Sequence, residues 1–403
     1  MTGYDVVIVG GRVAGASTAL LLARAGVRVA VVERSSRGVD TVSTHGLMRA
    51  GVLQLARWGL LDRVVAAGTP PITRTVFHYS DGDRVQVSIR PSPGVDALYA
   101  PRRTVLDRIL VEAAEEAGAV VLHETAVTAL LRAPDGRVSG VAARDARGSR
   151  IELGASLTVG ADGIRSVVAQ QTEAHTIHQG STASAILYRY IRDLDADGYE
   201  WAYGDGAGAG LLPTNDHATC VFVGTTPERM RRLRRSGREQ AFSTLLSAAA
   251  PALVDRVLDT VDWSPMKGWA GVPGHVRQSW GPGWALVGDA GYYKDPITTH
   301  GMSDGLRDAE LLAESVLEVL AGIPEPVAMA AYQDVRDRLS MRLFAATEEV
   351  ARYDWDCLRA RVLLRTVSSA MSDEVDHLQA LPDRRLGPGI AAFIPTDNVG
   401  RAG

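Results

Sequence analysis

Residues 4–26 read "YDVVIVGGRVAGASTALLLARAG", and the reading of "GGRVAG" at 10–15 decides the fold. The β-branched run at 4–9 has the composition of a strand buried on both faces. After the turn, small residues and then leucines give a helix pattern that stops at Gly26. "VRVAVVE" at 27–33 follows as a second buried strand ending on Glu33. The three pieces make a βαβ unit of roughly 30 residues, the size of a nucleotide-binding half-fold. In the fingerprint Gly-x-Gly-x-x-Gly, Gly10 and Gly15 hold the outer positions and Arg12 the middle one. A guanidinium there can fork onto phosphate oxygens through charge-assisted bonds. Glu33 supplies the acid that accepts ribose hydroxyls and disfavours a 2′-phosphate. The loop alone admits NAD, FAD or a plain strand–helix corner.

The 403 residues are 46% hydrophobic and 22% charged with a net charge of −4, which suits one large domain or two sharing a core. That balance argues against a nucleic-acid partner. The one basic cluster, "ERMRRLRRSGR" at 228–238, reads as the solvated face of a helix. No apolar run reaches the roughly 18 residues of a membrane span, and the N-terminus lacks the pattern of a secretory signal. Cys220 and Cys357 give neither a disulfide framework nor a metal site. The expectation is a cytoplasmic protein without metal.

Further along, "RTVFHYSDGDRVQVSIR" at 74–90 alternates about an Asp-Gly turn, as an antiparallel hairpin does. Helices are expected at about 46–67, 102–118 and 227–259, and a strand at 119–124. A second hairpin set occupies 138–163, and further antiparallel strands occupy 183–225 and 261–275. "GDGAGAG" at 204–210 resembles another dinucleotide loop, but strand-like residues follow it, so it reads as a hairpin connection. "WALVGDAG" at 284–291 is a buried strand and turn before a long helix at 301–321, and the remainder is mostly helical to about 372 with a Pro/Gly-broken tail. Nucleotide-type and antiparallel segments therefore interleave. The domains expected are 1–71, 100–182 and 276–325 for the nucleotide, 72–99 and 183–275 for a substrate sheet, and a helical 326–403.

Two later stretches bear on the nucleotide: "GADGIRSVVA" at 160–169 and "GDAGYYKDPITTHGMSDGLRDAELLA" at 288–313. With "GGRVAG" and Glu33, in this order, the chain from residue 4 to about 320 resembles the FAD-dependent monooxygenases of the para-hydroxybenzoate hydroxylase type. Geranylgeranyl reductases and flavin-dependent halogenases share that superfamily. The resemblance implies an α/β, FAD-binding Rossmann-like fold of the glutathione-reductase type, with an interleaved antiparallel substrate sheet and a helical C-terminus. It places Gly10, Arg12 and Gly15 on the pyrophosphate and Glu33, beside Arg34, on the adenosine ribose. Arg103 would face the phosphate or ribityl region, and Asp162 and Gly163 match the Asp-Gly motif. Gly288 and Asp289 would accept a ribityl hydroxyl, and Pro296 would border the ring. Gly301 and Met302 begin a helix whose positive end would face the pyrimidine edge, where reduced flavin carries negative charge. "DTVSTHG" at 40–46 falls where the family places a loop against ribityl and ring, which makes His45 a contact candidate.

The chain departs from the family in three places. Tyr292 replaces the usual His, "THG" replaces Gly-Gln-Gly, and Ser303 replaces Asn. Lys294, Asp295 and His300 are the candidate catalytic groups, each with a loop or turn role as its alternative. Tyr188, Tyr190, Trp201 and Tyr203 are candidates to line an aromatic pocket, or simply core. The activity implied is monooxygenation of a hydrophobic, aromatic small molecule, in bacterial secondary metabolism, through a flavin C4a-hydroperoxide. O2 would be the oxidant and NAD(P)H the transient donor, in a monomer or homodimer. The alternatives are reduction of isoprenoid double bonds, halogenation, and FAD binding without catalysis. Halogenation is disfavoured because no Trp-x-Trp-x-Ile-Pro motif occurs and no lysine precedes Lys267.

Overall fold

The computed structural model describes residues 2–381. A parallel sheet runs Trp284–Leu286, Arg150–Gly160, Thr2–Val9, Val29–Val32, Val120–Leu122 from side to side. Val6 to Val9 register with Val29 to Val32 on one flank and with Leu157 to Gly160 on the other. One face of these valine-rich strands, including Val6, Ile8, Val29 and Val31, packs on the helices Val13–Arg24, Arg103–Glu116 and Gly301–Leu320. The opposite face, with Val7, Val9, Ala30 and Val32, packs on an antiparallel ribbon, Ala126–Arg132 and Val138–Arg144. Coverage on both faces is why the strands read as unbroken apolar runs.

A second sheet of seven strands takes its order from two separated stretches: Lys267–Trp269, Ala185–Arg192, Ala218–Thr225, Ala207–Pro213, Tyr199–Gly204, Arg74–Tyr79, Arg84–Ser88. All neighbours are antiparallel except Tyr199–Gly204 beside Arg74–Tyr79. Alternation sorts the side chains. Leu187, Leu211, Val221 and Val223 lie under Phe242, Leu245 and Leu246 of the helix Arg238–Ala249. Ile186, Tyr188, Tyr190, Trp201, Tyr203 and Phe222 cluster instead with Ile297, Tyr353 and Trp355. "GDGAGAG" is a hairpin connection, with Asp205 and Gly206 at φ 30° and 65° between its strands.

Two expected helices are shorter than their patterns suggest. The 227–259 stretch divides into Pro227–Leu233, Arg238–Ala249 and Val254–Leu258, because Gly237 takes φ 100° and Pro251 opens a 3-10 turn. The 46–67 stretch divides at Gly59 into Arg49–Arg57 and Leu61–Ala66, and Leu47 instead bridges to Tyr99. Glu325–Val350 and Cys357–Ala380 complete the described chain and pack on each other. The last helix runs on to Ala380, past its expected end at about 372, and the Pro/Gly-broken stretch after residue 381 lies outside the described residues. No single helix among those described is long and apolar enough to cross a membrane.

Candidate active site

The three glycine motifs meet at the carboxyl ends of the parallel strands, where open α/β sheets bind ligands. Gly10 takes φ 101°, and a Cβ on it would overlap the Ala161 carbonyl of the "GADG" turn. A Cβ on Gly15 would overlap the Gly10 carbonyl, so the helix Val13–Arg24 lies hard against the turn before it. Gly288, from the third motif, would place a Cβ 2.8 Å from that of Ala14. No acidic residue and no side-chain cap occupies the first turn of this helix, which leaves its N–H groups for an anion. Glu33, buried at the end of Val29–Val32, accepts from the Gly11 N–H at 2.7 Å and the Ser35 N–H at 2.8 Å. The acid thus locks the loop to the second strand.

Arg12 is extended at the helix N-cap, and its guanidinium bonds Asp107 at 3.3 Å. Arg103 holds the same carboxylate through two bonds of 3.0 and 3.1 Å. Two cations therefore share one anion beside the loop, leaving a net positive charge there. Asp107 was not among the sequence candidates, although its i,i+4 spacing from Arg103 on one helix face was a readable signal. Arg34 is exposed. Asp162 accepts from the Val167 N–H at 2.6 Å through one oxygen; its other oxygen is buried without a partner, and burial raises its pKa.

At the other end, Gly288–Ala290 is a single 3-10 turn. Burial pushes the Asp289 carboxyl up to about 6, against the pull of Lys294 and Arg103. Among the described residues its carboxylate makes no hydrogen bond. Asp295 caps the next turn, Pro296–Thr298, accepting from the Ile297 N–H at 3.0 Å and the Ser184 hydroxyl at 2.6 Å. Gly301 is exposed, with open space where a Cβ would stand, and Met302 turns inward. The helix Gly301–Leu320 thus presents an uncovered N-terminus. A partnerless carboxylate at Asp289, an orphan oxygen on Asp162 and the uncapped N-terminus of Val13–Arg24 fit a dinucleotide flavin.

The three catalytic candidates lie in the interior, each paired within the chain. Asp295 holds the Ser184 turn, and Lys294 pairs with Asp304. The His300 side chain is 0% exposed, and its Nε2 meets Glu374 of the last helix. Arg307 ties Asp304 and Glu374, both at 3.2 Å, to Asp308 at 2.7 Å and the Ser340 hydroxyl at 2.9 Å. His300, Asp304 and Glu374 converge as metal ligands would, but Arg307 and Lys294 already bring positive charge to them. Glu374 and Ser340 carry no signal in the sequence: 74 residues separate His300 from Glu374.

The aromatic candidates share the inner face of the seven-stranded sheet. Trp201, Tyr203, Phe222, Ile186, Ile297 and Tyr353 close around a small cavity of about 10 Å³, the room of a single water. Ile297 belongs to the turn after Asp295, so the cavity wall and the candidate ring-bordering turn share a side chain. Tyr353, from the link between the last two helices, was not foreseen. His45 takes φ 66° and stacks on Tyr190 with centroids 5.6 Å apart, its Nε2 on the Tyr190 hydroxyl. Burial lowers the His45 pKa to about 3, so the imidazole is neutral. Arg102 covers the Tyr190 ring at 4.1 Å.

Comparison with known proteins agrees with this architecture. Residues 3–347 match the family model described as FAD binding domain. Digeranylgeranylglycerophospholipid reductase 2 of Methanopyrus kandleri is 28% identical over 339 residues, 79% of this chain and 78% of that protein. Protein FixC of Escherichia coli K12 is 33% identical over 184 residues, 42% of this chain and 38% of that one. Among solved structures, PqsL of Pseudomonas aeruginosa superposes with a TM-score of 0.75 at 21% identity, over 92% of this chain and 100% of that one. The p-nitrophenol 4-monooxygenase PnpA of Pseudomonas putida DLL-E4 superposes with a TM-score of 0.75 at 18% identity, over 94% and 98%.

Proposed function

The chain belongs to the FAD-binding-domain family, and on that premise we propose that this FAD-dependent oxidoreductase is a monooxygenase of a hydrophobic, aromatic small molecule. NAD(P)H is the donor in this reading, and bacterial secondary metabolism the setting. What supports it is the aromatic inner face of the seven-stranded sheet, where Trp201, Tyr203, Phe222 and Tyr353 stand together and meet the turn Pro296–Thr298 through Ile297. Aromatic walls favour an aromatic guest; these side chains stand nearly closed on one another, with about 10 Å³ between them, so a guest enters as they part.

Bound FAD supplies the redox chemistry, taking two electrons from the donor and activating O2 for transfer of one oxygen atom. The chain's own residues do the rest. Gly10 and Gly15 bring the Val13–Arg24 N-terminus to the pyrophosphate, with Arg12 and Arg103 adding positive charge. Glu33 receives the ribose, with Arg34 outside it. Gly163 closes the turn on which Asp162 is held, and Gly288 and Asp289 take the ribityl chain. Pro296, Gly301, Met302 and His45 border the ring, and the apolar inner face of the sheet keeps water from it. Lys294, Asp295 and His300 position these elements and do not touch substrate.

A second reading, reduction of isoprenoid double bonds, draws on the reductase relatives. The aromatic character of the sheet's inner face favours the first. Purified protein should be yellow, with maxima near roughly 370 and 450 nm. NADPH oxidation under ¹⁸O2 should be stimulated by hydrophobic aromatics and leave one labelled atom in the product. Anaerobic turnover of a geranylgeranyl lipid without label would establish the reductase instead, and a colourless protein that takes up no FAD would sink both.

A further inference from the structure

The arginine-rich stretch at 228–238 lies outside the site described above. It forms the helix Pro227–Leu233, a 3-10 turn at Arg234–Ser236 and the start of Arg238–Ala249. Between this stretch and Lys267–Trp269, the edge strand of the seven-stranded sheet, lies a groove of about 460 Å³. That volume falls within the roughly 300–1,000 Å³ of ligand pockets. Leu187, Met230 and Trp269 give the groove an apolar floor, and Arg231, Arg234 and Arg238 line its helical side. Elsewhere on the surface, arginines such as Arg63, Arg342 and Arg361 meet carboxylates. These three do not. Arg231 bonds the Pro227 carbonyl at 3.3 Å, Arg238 the Met266 carbonyl at 3.5 Å, and the Arg234 side chain has no partner among the described residues. The acids nearest in sequence are engaged with other arginines, Glu228 with Arg232 at 3.8 Å and Glu239 with Arg189.

A wall of guanidinium groups without its own anion matches the oxygens of a phosphate, and an indole over an apolar floor receives a flat ring. Trp269 also packs against the aromatic cluster on the sheet's inner face. Two residues earlier, Lys267 pairs with Asp40, at the start of the 40–46 loop that the flavin reading places against ribityl and ring. The groove therefore ends on a strand that also touches the flavin-side loop. FAD takes the glycine cradle, where Glu33 disfavours a 2′-phosphate, so a donor carrying that group needs its cations elsewhere.

We propose that this groove binds the 2′-phosphoadenosine end of the electron donor, with the 2′-phosphate on the arginines and the adenine on Trp269, which makes the donor NADPH rather than NADH. The assignment rests on the reading that a nicotinamide nucleotide reduces the flavin.

The test is calorimetry of oxidised, full-length holoprotein with adenosine 2′,5′-bisphosphate, which cannot reduce flavin. The bisphosphate should bind about tenfold more tightly than 5′-AMP, the scale of one hydrogen bond to a charged group. Arg234→Gln should remove that advantage, whereas Arg235→Gln, in the same 3-10 turn but not lining the groove, should keep it. The bisphosphate should also quench indole fluorescence in the parent and less in Trp269→Phe. In steady state, Arg234→Gln should raise KM for NADPH about tenfold and leave kcat and the KM for NADH unchanged, the mark of lost uniform binding. Equal affinity for bisphosphate and 5′-AMP, or Arg234→Gln binding the bisphosphate as tightly as the parent, overturns the proposal. So does displacement of the bisphosphate by an equal concentration of inorganic phosphate, or tighter binding of an aromatic carboxylate in the groove. The binding readouts need no turnover. Arg234-dependent bisphosphate binding in a protein that oxygenates nothing refutes the monooxygenase reading and keeps this inference, and an active oxygenase with equal KM for NADH and NADPH does the reverse.

Discussion

Gly15 is where a single methyl group does the most harm. Its Cβ would overlap the Gly10 carbonyl, which belongs to backbone and has nowhere to swing. Gly15→Ala should therefore cost the apoprotein about 1–3 kcal/mol, the range for overpacking, and should abolish FAD uptake. Urea unfolding and the 450 nm absorbance of reconstituted protein check both; an unchanged midpoint with full flavin would refute the close approach. Asp289 gives a pH signature. Its folded pKa is raised from 3.8 to about 6 by burial, so the native apoprotein binds the extra proton, and this contribution to stability is lost as pH rises through that window. Asp289→Asn should make the apoprotein more stable than the parent at pH 7, with the advantage gone near pH 4. It should weaken FAD retention at pH 7, where the carboxylate accepts through two oxygens and the amide through one, and much less near pH 4, where the parent carboxyl is protonated. Thermal melts of apoprotein at the two pH values decide the first part, and dialysis of holoprotein the second.

The helix Gly301–Leu320 carries Asp304, Arg307 and Asp308 fully inside the protein. Arg307 is the hub, and replacing it with Met leaves three carboxylates facing one another with only Lys294 to offset them. Arg307→Met should destabilise by about 3–5 kcal/mol, the cost of breaking a buried charge cluster from one side; a loss under 1 kcal/mol in urea denaturation would show that the cluster relaxes. Strands such as Thr2–Val9 and the glycine turn were legible because their instructions are local: β-branched runs and a positive φ that only a few residues tolerate. The helix breaks at Gly237 and Pro251 are written in the sequence too, where one helix was expected to run through both. Lys294, Asp295 and His300 were singled out by their place beside the motifs. Their true partners, Asp304, Ser184 and Glu374, come from other turns and other elements. Whether a polar side chain faces a cavity or an ion pair depends on those distant residues, and no local pattern records it.

At the scale of the molecule, the last helices are part of the site rather than an appendix. Tyr353 closes the cavity, and Leu363, Val367 and Ala370 pack in the same apolar cluster as the sheet's inner face. Ending the chain after Asp356 should expose that cluster and remove Glu374. The product should bind a hydrophobic dye, lose near-ultraviolet circular dichroism and retain no flavin; a well-ordered yellow fragment would overturn this. The order of the parallel sheet has a further effect, on synthesis. Thr2–Val9 is made first, yet its neighbour Arg150–Gly160 follows far downstream, and Gly288, which meets Ala14, comes later still. At about 5–20 residues per second, the ribosome needs on the order of 15–60 seconds between making the first glycine turn and supplying the residues that close over it. Throughout that interval, which ends about seven-tenths of the way along the chain, the nascent chain carries an unfinished nucleotide cradle, so flavin capture is a late event of biogenesis.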